Sequence, residues 1–237
     1  MTEKPSLVLI PGLLCTADLW RDQIAGLADL ADIIVADHTV DDNMPAIAAQ
    51  ILKAAPETFA LAGLSMGGYL ALEIMNQAPE RVSRLALLAS RPLADTPEDR
   101  RKREDFIRLA EQASTFHGVT RSLLPVLIHP SRLEDEELTT RIFKMAEDTG
   151  RDAFIRQERA LLSRQPLTHI LDDIRCPTLV LAGAEDRLIP TILQREMAVN
   201  IPTAQYVEIS TCGHLPTMER PEETTEHMRR WLARKPE

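Results

Sequence analysis

The stretch Phe59-Ala60-Leu61-Ala62-Gly63-Leu64-Ser65-Met66-Gly67-Gly68-Tyr69 limits what this chain can fold into more than any other. An apolar run ends in Gly-Leu-Ser-Met-Gly, and a helical pattern begins at once. That is G-x-S-x-G in the strand–turn–helix setting that gives the pattern chemical meaning. A serine hydroxyl lifted clear of the backbone needs a very tight turn and a strained residue at its apex. Side chains two positions before and after would strike the neighbouring chain, and Gly63 and Gly67 carry none. The helix opening near Met66 turns its free N–H groups back toward the serine, where an anion can be stabilised. The plainer reading is a glycine-rich turn with no chemistry.

The rest of the first half has matching rhythm. Leu7 to Ile10 reads as a buried strand stopped by Pro11-Gly12. Thr16 or Asp18 caps a helix through about Leu27. Ile33 to Ala36 reads as a second buried strand, Pro45 to Ala54 as a helix and Phe59 to Ala62 as the third strand. Met66 to Ala78 is the helix after the serine, and Leu85 to Ala89 the fourth strand. Continuously apolar strands alternating with helices predict a parallel sheet covered on both faces.

The rhythm breaks after Arg91. From about Pro92 to Asp173 no strand pattern is found. Thr96-Pro97-Glu98-Asp99 opens a charged helix expected to turn Phe106, Ile107, Leu109 and Ala110 inward. Ser131-Arg132-Leu133-Glu134 resembles a second capping box, and Asp152 to Leu162 a further helix. Alternation resumes with a strand over 176–183, a helix from Pro190 to Ala198, a strand from Tyr206 to Ile209 and a helix from Pro221 to Leu232. The expected division is therefore 1–91 and 174–237 as one α/β core, with 92–173 as a helical insertion.

Composition excludes some partners. A net charge of −9 over 237 residues, with no Lys/Arg run, argues against nucleic acid. No apolar run has membrane-spanning length, and the opening Met1-Thr2-Glu3-Lys4-Pro5-Ser6 lacks the pattern of a secretory leader. Cys15, Cys176 and Cys212 are odd in number and widely spaced, which suits a reducing compartment and no metal site. The expectation is a cytoplasmic protein without metal or organic cofactor, acting on a small molecule.

A serine nucleophile needs a base, and the base an acid that fixes its tautomer. His214 follows the last strand and Asp186 the one before it, so a parallel sheet brings both to the edge that carries Ser65. His38, His117, His129, His169 and His227 compete as base, and Glu185 and Asp95 as acid. Position favours His214 and Asp186. The tetrahedral intermediate needs two N–H donors, expected from Met66 and from Leu13 in the Pro11-Gly12-Leu13-Leu14 loop.

Four stretches carry a family resemblance: Leu-Ile-Pro-Gly-Leu-Leu-Cys-Thr-Ala-Asp-Leu-Trp, Ala-Gly-Leu-Ser-Met-Gly-Gly-Tyr-Leu-Ala-Leu-Glu, Gly-Ala-Glu-Asp-Arg-Leu-Ile-Pro and Cys-Gly-His-Leu-Pro-Thr-Met-Glu-Arg-Pro-Glu. With them the chain resembles the α/β-hydrolase superfamily, in the branch of small-ester esterases, enol-lactonases and carbon–carbon bond hydrolases. The resemblance implies Ser65 as nucleophile, Asp186 as acid, His214 as base, Leu13 and Met66 as the oxyanion hole, and 92–173 as a cap over the site. Two departures stand out. Pro11-Gly12 replaces the His-Gly of many members, and the chain opens directly on the strand before that loop. A sheet of about six mainly parallel strands is therefore expected, lacking the first N-terminal strands.

The favoured reading is hydrolysis of a small ester or lactone through an acyl-serine. Leu14, Arg91, Phe143 and Arg159 are candidate substrate contacts. A second reading keeps the triad but cleaves a carbon–carbon bond, or catalyses a lyase step, in a carboxylate-bearing substrate. That would need a cation such as Arg91, Arg159 or Arg164 facing Ser65, each of which is otherwise an ion-pair partner. A third reading is a binding protein on an inactive scaffold.

Overall fold

Six apolar runs form β1 (Ser6–Ile10), β2 (Asp32–Val35), β3 (Phe59–Leu64), β4 (Val82–Leu88), β5 (Thr178–Gly183) and β6 (Ala204–Ile209) in a computed structural model that describes residues 4–234. Met1 to Glu3, the start of the segment read above for a missing leader, lie outside the described residues, as do 235–237. The strands make one sheet in the order β2-β1-β3-β4-β5-β6, and every neighbouring pair is parallel. All carboxyl ends therefore share one edge.

Alternate side chains of each strand feed opposite layers, as the pleat requires. Val8, Leu61, Leu85 and Val180 pack with Ile47 and Ile51 of α2 (Met44–Ala54) and Leu70 and Ile74 of α3 (Met66–Gln77). Leu7, Ala60, Leu88 and Leu179 pack on the other face with Leu19, Trp20, Leu27 of α1 (Arg21–Leu27), and Met228 and Trp231 of α9 (Pro221–Ala233). Burying a side chain such as Trp231 or Leu70 contributes on the order of 2 kcal/mol each. β2 was expected to be buried; as an edge strand it leaves Asp32 and Ile34 exposed, because only β1 flanks it.

Between β4 and β5 the described residues form helices and turns only. Thr96 and Asp99 close a reciprocal capping box on α4 (Pro97–Gln112). The short α5 (Leu124–Leu127) leads to α6 (Glu136–Ser163), broken at Gly150, where φ is 77° and ψ 168°. Three expectations need correction here. Phe106 and Leu109 point outward, 45% and 61% exposed, because the inward stripe of α4 runs through Arg103, Ile107 and Ala110. Arg103 turns in to meet Asp95 and Glu158, so an ion pair, not apolar spacing, set the rotation. Ser131 caps nothing: α6 starts one turn later, with Asp135 accepting from Leu138 N–H. The helix expected over 152–162 is the second half of α6.

Beyond β5 come α7 (Thr191–Val199), then β6, and the one-turn α8 (Pro216–Glu219), which the sequence did not reveal. No helix of the described residues is long and apolar enough to cross a membrane.

Candidate active site

Ser65 follows β3 directly and sits at φ 55°, ψ −114°, outside the regions that residues with a Cβ prefer. Its N–H donates to Leu88 O at 2.9 Å, and its carbonyl accepts from Gly68 N–H, Tyr69 N–H and Ser90 Oγ. These bonds hold the turn against a backbone cost of order 1–3 kcal/mol. A Cβ on Gly63 would run into the Gly67 carbonyl, and one on Gly67 into the carbonyl of Ile10. Both glycines are thus required by close approach, as the sequence implied.

Asp186 lies past the end of β5, with its side chain fully enclosed. Its Oδ1 accepts from Leu188 and Ile189 N–H, each at 2.9 Å. Its Oδ2 lies 2.9 Å from His214 Nδ1 and accepts from Gln194 Nε2 at 3.3 Å. Nδ1 must therefore carry the proton, leaving the Nε2 lone pair as the basic position. No hydrogen bond joins His214 Nε2 to Ser65 Oγ among the described residues. Ser65 is partly exposed, and His214 is 2% exposed. In such sites this bond commonly tightens only when substrate is bound.

The loop holding His214 hangs on one carboxylate. Glu219 of α8 is 1% exposed and accepts from Gly213 N–H at 3.0 Å, Leu215 N–H at 3.1 Å and His129 N–H at 2.7 Å. Burial pushes its carboxyl above the usual range, and the three N–H donors pull it back. Glu185, weighed as an alternative acid, accepts instead from Cys212 N–H at 3.0 Å. Asp95, the other alternative, is committed elsewhere: it meets Arg103 at 2.6 Å, Arg164 at 2.5 Å and Arg91 at 3.6 Å.

The loop after β1 comes up beside the serine. A Cβ on Gly12 would lie 3.6 Å from Ser65 Cβ. Leu13 N–H and Met66 N–H, the latter first in α3, donate to no protein acceptor among the described residues. Leu14, at φ 57°, gives its N–H to Gln157 Oε1 of α6 at 3.2 Å. Its side chain packs with Ala146 and Phe154 of α6, and Phe116 stands 5.3 Å from the Phe154 ring. The helical segment thus closes on the loop after β1 with apolar side chains.

The other candidates fall elsewhere. Phe143 is partly buried against the layer containing Leu138 and Ile142. Arg159 pairs with Glu111 at 3.0 Å, both half exposed, and Arg91 pairs with Asp99 at 3.2 Å. His117 and His169 are exposed, His129 bonds Ser131, and His227 is half-buried on α9. His38 is enclosed, with Nε2 2.9 Å from Gly12 O and 3.0 Å from Gln157 Nε2. Sequence reasoning missed Gln157, Gln194 and Glu219 as parts of the site. Only Glu219 left a signal, as an acid within the Cys-Gly-His-Leu-Pro-Thr-Met-Glu stretch.

Cys15 and Cys212 are buried free thiols. Desolvation pushes Cys15 up to about 12, which keeps it protonated and inert near neutral pH. No cluster of three or more His, Cys, Asp or Glu side chains with metal-holding geometry occurs among the described residues.

Known proteins resemble this chain along most of its length. The sequence profile of the alpha/beta hydrolase family matches residues 7–227. A pimeloyl-[acyl-carrier protein] methyl ester esterase of Xanthomonas oryzae is 27% identical, over 98% of this chain and 96% of its own. A Serratia proteamaculans protein, provisionally named a carbamate hydrolase, is 27% identical over 96% and 89%. The solved structure of a thermophilic esterase from Thermogutta terrifontis superposes with a TM-score of 0.85 at 27% identity, covering 97% of this chain and 90% of that one.

Proposed function

We propose, from the premise that this chain belongs to the alpha/beta hydrolase family, that it hydrolyses a small carboxylic ester or lactone through an acyl-serine. Ser65 Oγ attacks the carbonyl carbon while its proton passes to His214 Nε2. Asp186 stabilises the imidazolium, and Leu13 N–H and Met66 N–H receive the oxyanion. Collapse breaks the carbon–oxygen bond, and His214 gives the proton to the leaving alcohol. The same nitrogen then takes a proton from water as it attacks the acyl-serine; collapse breaks the bond to Ser65 Oγ, which takes that proton back from His214 as the acid leaves.

The observation that carries this reading is the strained Ser65, its Oγ unbonded, on the edge where Asp186 and His214 are paired. The names of the relatives support ester chemistry, and a carbamate carbonyl would be attacked in the same way. We assign residues 92–173 as the cap. Its apolar contacts with Leu14 favour an apolar substituent next to the carbonyl. The carbon–carbon reading is disfavoured because Arg91, Arg159 and Arg164 are already paired with carboxylates. A reducing, cytoplasmic setting fits the free thiols.

The test is labelling with a fluorophosphonate followed by peptide mapping. We expect one adduct, on Ser65, with parallel loss of p-nitrophenyl butyrate hydrolysis, and no labelling of Ser65→Ala. Protein that hydrolyses the ester yet takes up no label on Ser65 would falsify the mechanism.

A further inference from the structure

We propose that Gln157 and His38 are positioning residues for the oxyanion hole, holding the Gly12–Leu14 backbone so that the Leu13 N–H stays free beside Ser65. The proposal rests on the reading of Ser65 as nucleophile and Leu13 N–H as an oxyanion donor. It adds a part supplied by the cap.

Leu14 occupies the left-handed region, which a residue with a Cβ leaves unless something restrains it. Its N–H is taken by Gln157 Oε1 at 3.2 Å. If Leu14 relaxed to the extended region, the Leu13–Leu14 and Leu14–Cys15 peptide planes would rotate, and the Gly12–Leu13 plane that carries the Leu13 N–H, joined to the first of them at Leu13, would lose the anchor that fixes its orientation. The hole depends on that N–H remaining where charge develops.

Gln157 is fully buried and comes from the second half of α6, far along the chain. With Oε1 on Leu14 N–H, its amide nitrogen must face His38 Nε2. His38, from the loop after β2, is 2% exposed, and the same Nε2 lies 2.9 Å from the Gly12 carbonyl. One ring nitrogen serves one of these partners at a time. As the bare nitrogen it accepts from Gln157 and fixes the amide that holds Leu14. As N–H it donates to Gly12 O and holds the loop directly. With Nε2 protonated the oxyanion loop is gripped on both sides of Leu13, by His38 at Gly12 and by Gln157 at Leu14; with Nε2 bare the grip is at Leu14 alone, through a Gln157 amide that His38 orients. A buried glutamine placed only for packing would have no reason to set its amide oxygen on this loop and its amide nitrogen on the histidine beside it. A buried amide left without partners is costly, so the arrangement is also self-enforcing.

The test compares wild type with Gln157→Leu and Gln157→Glu, using p-nitrophenyl butyrate for turnover and a fluorophosphonate to count functional sites. In Gln157→Leu we expect kcat per labelled site to fall by about 10- to 100-fold with KM nearly unchanged, less than loss of a whole oxyanion donor. Gln157→Glu keeps an oxygen for Leu14 N–H and should recover most of that loss. A purely structural role predicts a lower melting temperature and fewer labelled sites, with kcat per site within twofold of wild type; that result overturns the proposal. If Gln157→Leu does not fold, His38→Gln is read in its place by the same criteria. Absence of label on wild-type Ser65 removes the nucleophile reading and this proposal together. A labelled wild type with unchanged kcat per site in the variant removes this proposal alone.

Discussion

Two aspartates separate structural from chemical work at the scale of single residues. Asp186 touches His214 and three other donors, and Asp95 touches three arginines. Asp186→Asn places an amide where Nδ1–H needs an acceptor, and kcat should drop by about 10⁴-fold with the fold intact. Asp95→Asn should leave kcat per active site near wild type but cost about 3 kcal/mol in denaturant unfolding, because Arg103 and Arg164 lose their shared counter-charge. The reverse pattern in steady-state rates and unfolding midpoints would exchange the two assignments. From the sequence both were acids after a strand and between Ser65 and His214; the place after the fifth strand, in the Gly-Ala-Glu-Asp-Arg stretch of the family resemblance, favoured Asp186. Ser65 was legible because its glycine neighbours announce a close approach. Gln157 was not, since its partners are a backbone N–H and a histidine more than a hundred residues away, and Glu219 showed only as an acid in the Cys-Gly-His stretch, its backbone N–H partners leaving no mark on composition.

The elements of the insertion are held by charge as much as by apolar packing. Arg103 of α4 bridges Asp95 and Glu158 of α6, while Arg164 lies over the Tyr69 ring of α3, its carbon Cζ 3.7 Å from the centroid. Burial pushes Glu158 up, and Arg103 opposes that shift. This explains why the rotation of α4 was misread: a charged residue on a helix reads as solvated unless its partners are already placed. The break at Gly150 is the other decisive local feature. Nothing lies within 4 Å of the position a Cβ would take there, so a substitution is felt by the backbone alone. With φ near 77° and ψ near 168° the position is almost reserved for glycine. Gly150→Ala should cost on the order of 1–3 kcal/mol in denaturant unfolding, either as strain or by straightening α6. An unchanged midpoint in urea would mean that the break is soft.

Over the whole molecule, strand number, parallel pairing and the shared carboxyl edge followed from alternation and apolar runs, because a fully covered parallel sheet writes itself as uninterrupted Leu, Ile, Val and Ala. The exposed edge at β2 did not, since an edge differs from the centre only in its neighbours. Acid sensitivity is also a property of the assembled molecule. Burial holds His38 below its ordinary 6.5, partly offset by the Gly12 carbonyl. Between that lowered value and 6.5 the unfolded chain binds more protons than the folded one, so stability falls as pH falls through this window. The melting temperature of His38→Gln should therefore decline less than that of wild type between about pH 7 and pH 5. Identical slopes in a thermal scan would clear His38 of that role. The bond from Leu14 to Gln157 spans 143 residues. A ribosome releases Ser65 first, then Gln157, and His214 last of the three. Until His214 has been made, the proposed nucleophile has neither its base nor the full set of contacts that shape the proposed anion site, so order of synthesis alone keeps the proposed chemistry off.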